Sequence, residues 1–159
     1  MTHNILVSDP ISEEGLQSLI HHPDFKVDFK SGLTEEELVD IIPNYQGLIV
    51  RSQTQVTESI INHASNLKVI ARAGVGVDNI DIKSATLNGI LVVNAPDGNT
   101  ISATEHSVAM ILAMARNIPQ AYTSLKNKEW NRKAFKGVEL YQKVLGVIGA
   151  GRIGLGVAK

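Results

Sequence analysis

Three glycines, Gly149, Gly151 and Gly154, stand in the spacing G-x-G-x-x-G directly after the apolar run KVLGVIG. The first glycine of such a turn permits a tight bend. The second lets backbone approach a pyrophosphate, and the third lets the new helix pack on the strand before it. A helix opening here offers unpaired N–H groups and partial positive charge to phosphate oxygens. Arg152, in the first turn, adds a charge-assisted donor. This is the chemistry of dinucleotide binding, and the strand–turn–helix order favours it over a ligand-free glycine turn. The acid that would hold a ribose in this arrangement stands about 20 residues further on. That position lies past Lys159, so the choice between NAD and NADP stays open.

A second constellation lies earlier. Arg51 ends the run GLIVR, and Arg72 ends KVIAR just before Gly74–Val75–Gly76. If both runs are parallel strands, both arginines stand at the carboxyl edge of the sheet, where ligands of open α/β sheets bind. Backbone N–H groups around two glycines form an anion-binding nest. Two guanidinium groups beside it suit a small acid carrying carboxylate and phosphate. The alternatives are a surface arginine paired with a nearby acid and a plain loop. The convergence at one edge favours the anion site.

The elements that must position these residues follow from the apolar pattern. NILVS, FKVDF, GLIV, KVIA and ILVV read as five short strands, each separated from the next by a helical segment. A helix opens at Ser12, and Thr34 with Glu37 forms a capping box for a second. Thr57 opens a third, and a fourth runs from about Asp81 to Asn88 before Gly89. Strands apolar on both faces and alternating with helices imply an α/β fold, a flavodoxin-like, doubly wound parallel five-stranded sheet over residues 1–99. Ser102 with Glu105 then reads as a capping box for a long helix to about Arg116. A polar segment broken by Pro119 and Gly137 follows as a short helix and an extended arm, before the strand KVLGVIG and its glycine turn. Residues 100–159 thus read as the beginning of a Rossmann domain.

Bulk properties set limits. The 159 residues carry 15 basic and 16 acidic side chains, a formal charge of −1, which gives no electrostatic reason to expect nucleic acid or an anionic membrane. There is no cysteine, so disulfides and thiolate chemistry are excluded. The longest apolar run, VAMILAMA, is far short of the roughly 20 residues that span a bilayer. The amino terminus has no secretory pattern, so a cytoplasmic protein is expected. No metal site is expected: adjacent His21 and His22 cannot share a helix face, and His3 and His63 have no second ligand at a useful spacing.

GLIVRSQTQVT, ARAGVGVDNID, NAPDGNTISATEH and GVIGAGRIG occur in that order, and together they resemble the amino-terminal half of the D-isomer-specific 2-hydroxyacid dehydrogenases. The resemblance covers essentially the whole chain. It implies a substrate-binding domain, of which residues 1–99 are the amino-terminal portion, and a nucleotide-binding domain whose start is residues 100–159. It implies NAD as cofactor and a small anionic 2-hydroxy acid as substrate, D-3-phosphoglycerate foremost. By position, Arg51, Arg72, Val75, Gly76 and Asn99 become substrate-binding residues, with Arg72 the weaker transfer, structural or at the site's edge. Val75, Gly149, Gly151, Arg152, Ile153 and Gly154 become cofactor-binding residues. The long helix and the arm around Trp130 resemble dimerisation elements, which implies a homodimer or higher homo-oligomer.

The family's catalytic arginine, glutamate and histidine stand later in the nucleotide domain. No catalytic residue is therefore expected in this chain, which reads as a truncated piece, inactive alone. His106 does not match the catalytic position and is read as structural or surface. Met110 and Met114 read as core or subunit interface. Two alternatives remain: an enzyme acting on glyoxylate, hydroxypyruvate or D-lactate, and a non-catalytic dinucleotide-sensing protein.

Overall fold

A computed structural model gives the structure of residues 2–159, and the chain divides into two compact units, residues 1–98 and 99–159. In the first unit β1 (His3–Val7), β2 (Phe25–Phe29), β3 (Gly47–Val50), β4 (Val69–Arg72) and β5 (Leu91–Asn94) form one sheet. All neighbours pair parallel, in the order β2-β1-β3-β4-β5. This is the flavodoxin-like order.

The intervening helices are short and set by their caps. The capping box of α2 (Glu35–Ile41) is complete: Glu37 N–H donates to Thr34 Oγ1 at 3.2 Å, and Thr34 N–H donates to Glu37 Oε2 at 2.8 Å. Thr57 caps α3 (Glu58–His63) by accepting from Ile60 N–H, and Asp81 caps α4 (Ile82–Leu87) by accepting from Ser84 N–H. The helix expected from Ser12 is different. Residues Glu13–Leu16 form a 3-10 turn, and only Gln17–Ile20, here α1, is α-helical. Ser12 makes no cap bond, and Leu16, at φ −111° and ψ 5°, interrupts the helical path one residue after Gly15.

Register sorts the side chains onto two faces. Leu6, Leu48, Ile70 and Val92 align across four strands, on the face packed against Leu38, Ile42, Ile60, Ile61 and Ala85 of the α2–α4 region. Leu6, Leu48 and Ile70 are wholly buried, each contributing about 1.5–3 kcal/mol relative to exposure. The opposite face is covered less. Leu91 is 62% and Val93 40% exposed, so β5 is not the two-sided buried strand its sequence suggests. The reason is that this strand is at the sheet edge and α4 packs on only one of its sides.

The second unit contains α5 (Thr100–Ala115), α6 (Ile118–Lys126) and α7 (Arg152–Ala158), with α7 packed on α5. Its long helix begins two residues before the expected cap. Asn99 is the N-cap residue, and Ser102 lies inside the first turn with Oγ donating to Asn99 O at 3.2 Å. Pro119 sits in the first turn of α6, where its missing N–H costs no helical bond. The run KVLGVIG, expected as a strand, belongs to no sheet. A parallel strand exists only through its neighbours, and the described part of this unit contains no other strand. Val144 and Ile148 consequently stand in solvent.

One part-buried bond pins the edge strand β2 to the core. Tyr45 Oη donates to Asp28 Oδ2 at 3.0 Å. Burial, then that bond and the carboxylate's charge, push the phenol from its ordinary 10.0 up to about 12. The unfolded chain releases this proton first, so the group's contribution to stability is complete below the unfolded value and is lost as pH rises toward 12. Urea unfolding at about pH 9 and about pH 11.5 should show a smaller alkaline loss in Tyr45→Phe than in wild type. Equal losses would contradict this account of Tyr45.

Candidate functional site: the carboxyl edge of the sheet

All five strands end on one edge, and the backbone leaving them there has exhausted its ladder partners. Arg51 follows β3 immediately, and Arg72, the last residue of β4, is registered beside Val50. The segment 51–54 is largely exposed, so apolar packing does not hold it. Polar side chains do. The carboxylate of Asp9, only 3% exposed, accepts from Arg51 N–H at 2.6 Å, Gln53 N–H at 3.1 Å and Thr54 N–H at 3.0 Å. Thr54 Oγ1 donates to it at 2.5 Å as well. From the other side Asn79 Nδ2 donates to the carbonyls of Arg51 at 3.2 Å and Thr54 at 2.7 Å. Asn79 Oδ1 is buried with no partner among the described residues.

The two arginines are used differently. Arg72 Nε donates to Arg51 O at 2.8 Å, and Nη1 pairs with Asp78 Oδ1 at 2.8 Å. Its side chain is 12% exposed. This guanidinium is built into the loop. Arg51 is exposed and belongs to no ion pair among the described residues. Of the two cations expected to meet an anion, Arg51 is the one that remains available.

The glycine loop adjoins Arg72. A Cβ on Gly76 would stand 2.8 Å from Arg72 Nη1 and 2.7 Å from Asp78 Oδ1, so the loop backbone lies against this ion pair, whose side-chain ends would have to shift for any larger residue. Gly74 N–H donates to Arg72 O, Ala95 N–H to Gly74 O and Asn94 Nδ2 to Val75 O at 2.7 Å. These bonds use neither the Val75 amide nor the Gly76 amide, and both residues are exposed. The structure thus gathers the Arg51 backbone, Arg72, Val75 and Gly76 at one edge. Sequence reasoning missed Asp9, Asn79 and Asn94, which hold them. Only Asp9 carried a signal, an acid just past the apolar run of β1.

The glycine turn lies in the second unit, which is described by itself. Gly149 has φ +96°, a conformation that disfavours side chains. A Cβ on Gly154 would run into the Gly149 carbonyl and lie 3.3 Å from Val147 Cγ1, the close packing required of the third glycine. Gly151 is the N-cap residue of α7, and nothing lies within 4 Å of where its Cβ would be. The open space at 151 and the tight turn at 149 fit a pyrophosphate approaching the backbone. Arg152 and Ile153 are in the first turn of α7. Asn99 opens α5 without a side-chain cap bond.

Asp78 reports on the loop. Its own backbone N–H, and then the hydrogen bond and charge of Arg72, hold its carboxyl below the usual carboxylate range. Arg72→Gln should move the Asp78 midpoint upward but not all the way, because the backbone donor stays. Side-chain carboxyl 13C shifts followed through acid pH measure this, and an unmoved midpoint would contradict the pairing.

Comparison with known proteins places these features in a family. The D-isomer specific 2-hydroxyacid dehydrogenase catalytic domain matches residues 5–145. D-3-phosphoglycerate dehydrogenase of Archaeoglobus fulgidus is 54% identical over 155 residues, covering 98% of this chain and 29% of that protein. The chain therefore spans less than a third of that relative's length. Among solved structures, NAD+-bound 3-phosphoglycerate dehydrogenase of Entamoeba histolytica superposes with a TM-score of 0.78 at 29% identity, over 99% of this chain and 50% of that one. D-lactate dehydrogenase of Aquifex aeolicus, complexed with NAD and lactic acid, superposes with a TM-score of 0.81 at 28% identity, over 98% and 46%. With the family model matched over residues 5–145 and a relative 54% identical over 98% of this chain, the chain belongs to the D-isomer specific 2-hydroxyacid dehydrogenase family.

Proposed function

We propose that the whole protein containing this chain oxidises D-3-phosphoglycerate to 3-phosphohydroxypyruvate, the opening step of serine synthesis. Bound NAD would supply the hydride acceptor for C2, and the hydroxyl proton would pass to a base outside this chain. The observation that carries the reading is the edge geometry: an unpaired Arg51 whose carbonyl is bonded to Arg72, against which Gly76 packs. In this reading Arg51 binds the acid, the Val75 and Gly76 amides donate to its carboxylate, and Asn99 offers a further polar contact. Arg72 acts at the border of the site, holding the loop. Val75 also touches the cofactor, and Gly149, Gly151, Arg152, Ile153 and Gly154 hold its pyrophosphate. Residues 1–99 serve as the amino-terminal portion of the substrate-binding domain and 100–159 as the start of the nucleotide-binding domain. Because the arginine, glutamate and histidine of the chemistry lie outside it, this chain alone does not turn over.

A second reading is favoured by one detail. With Arg72 engaged by Asp78, the edge offers one available guanidinium among the described residues, enough for a single carboxylate. A non-phosphorylated 2-hydroxy acid, such as the lactic acid held by the Aquifex aeolicus relative, would be satisfied by that alone. A phosphate needs a cation from elsewhere in the whole protein.

The second unit exposes Ile101, Met110, Leu112, Met114, Trp130 and Tyr141, an apolar surface suited to burial against a second copy, so the protein works as a homodimer or larger homo-oligomer. Among the described residues no helix is long and apolar enough to cross a membrane. The cytoplasm, where NAD and small acids are abundant, is the proposed location.

Turnover of the whole protein with NAD and a panel of 2-hydroxy acids tests the function. D-3-phosphoglycerate should be preferred, and Arg51→Gln should raise its KM about tenfold to a hundredfold, the effect of losing one charged hydrogen bond. Preference for an unphosphorylated acid would replace the leading substrate with the second reading. No turnover with any acid, despite NAD binding, would leave a dinucleotide sensor.

A further inference from the structure

We infer that Asp9 is a positioning residue of the anion site: its buried carboxylate fixes where the Arg51 side chain emerges. The inference rests on the reading of Arg51 as the contact to the acid. Asp9 itself touches no ligand in this account.

The four residues 51–54 carry no buried apolar side chain, and they leave a strand that has ended. Such a segment keeps its backbone freedom unless polar groups remove it. Asp9 removes it from the amide side. Oδ2 takes the N–H of Arg51 and Gln53, and Oδ1 takes the N–H and the hydroxyl of Thr54. An ionised carboxylate has about four lone-pair sites. Here four donors from one short loop meet them, which is what makes burial of the charge tolerable. Ser8 Oγ adds a contact to Thr54 Oγ1 at 3.0 Å, tying the loop to the end of β1.

The carbonyl side is held separately. Asn79 Nδ2 reaches Arg51 O and Thr54 O, and Arg72 Nε reaches Arg51 O. The peptide groups on both sides of the Arg51 Cα are therefore bonded, N–H to Asp9 and C=O to Asn79 and Arg72. The direction of its Cα–Cβ bond is set by residues 21 to 42 positions away in sequence. Only the side-chain torsions remain free. A guanidinium launched from a fixed point loses less freedom on meeting an anion than one launched from a mobile loop.

Asp9→Asn keeps the size of the side chain and turns one oxygen into an NH2 group that faces N–H donors. In the whole protein the KM for the 2-hydroxy acid should rise about tenfold, with kcat and the KM for NAD each within about twofold of wild type. A role confined to stability would lower Tm and leave the KM ratio alone. Because Asp9 acts through Arg51, adding Asp9→Asn to Arg51→Gln should raise KM by less than about twofold further. Where Asp9→Asn does not fold, Thr54→Val takes its place, removing the hydroxyl with its bonds to Asp9 and Ser8 while the three amide donors to Asp9 stay. It should raise KM about two- to threefold in wild type and not in Arg51→Gln. An unchanged KM in Asp9→Asn, or in Thr54→Val where that replaces it, beside a raised one in Arg51→Gln would overturn the positioning role and leave Arg51 standing. Equal increases in both backgrounds would overturn it too. An unchanged KM in Arg51→Gln itself would sink the reading of Arg51, and the inference with it.

Discussion

A parallel sheet brings every strand to its end on the same edge, and at that edge the backbone must find new hydrogen-bond partners. Each N–H or C=O left buried and unpaired costs about 1–3 kcal/mol. In this protein side chains meet the deficit after β3: Asp9 for the amides, Asn79 and Arg72 for the carbonyls. After β4 it is met by a turn closed through Gly74 and by Asn94 on Val75 O. The same bonds that complete the fold leave Arg51 and the Val75–Gly76 amides uncommitted. Structure and candidate function share one set of hydrogen bonds.

How much of this is legible in the sequence follows from the range of the interactions. Thr34 and Glu37 are three apart, and their reciprocal capping bonds form as the spacing predicts. The five apolar runs carry enough local pattern to reveal the strands and, with the crossover rules, their order. Ser102 and Glu105 have the same spacing as a capping box but not its role, because the chain becomes helical at Thr100 and Asn99 takes the cap position. KVLGVIG has the composition of a strand without a partner to make it one. Asp9 lies 42 to 45 residues from the groups it binds, so no local signal ties it to the loop. Arg72 reads in sequence as the weaker ligand, structural or at the site's edge, and the fold shows that Asp78, six residues on, engages it.

The two units carry different kinds of information. The first is built around a continuous apolar core and holds its site residues by tertiary bonds, so its edge geometry is specified by its own sequence. The second holds its glycine turn by local conformation, with φ +96° at Gly149 and the Gly154 Cα against the turn, while much of its apolar surface faces solvent. Under the proposed function the first serves the substrate and the second the cofactor. Membership of the family does not by itself select the acid, and among the described residues the edge holds one available guanidinium, which suits a carboxylate with or without a phosphate.

The most direct measurement is a crystal structure of the whole protein with a 2-hydroxy acid bound. The account predicts the acid's carboxylate at hydrogen-bond distance, about 2.7–3.2 Å, from the Arg51 guanidinium and from the Val75 or Gly76 amide, with Asp9 still bonded to the loop beneath. An acid seated with its carboxylate out of reach of both would contradict it.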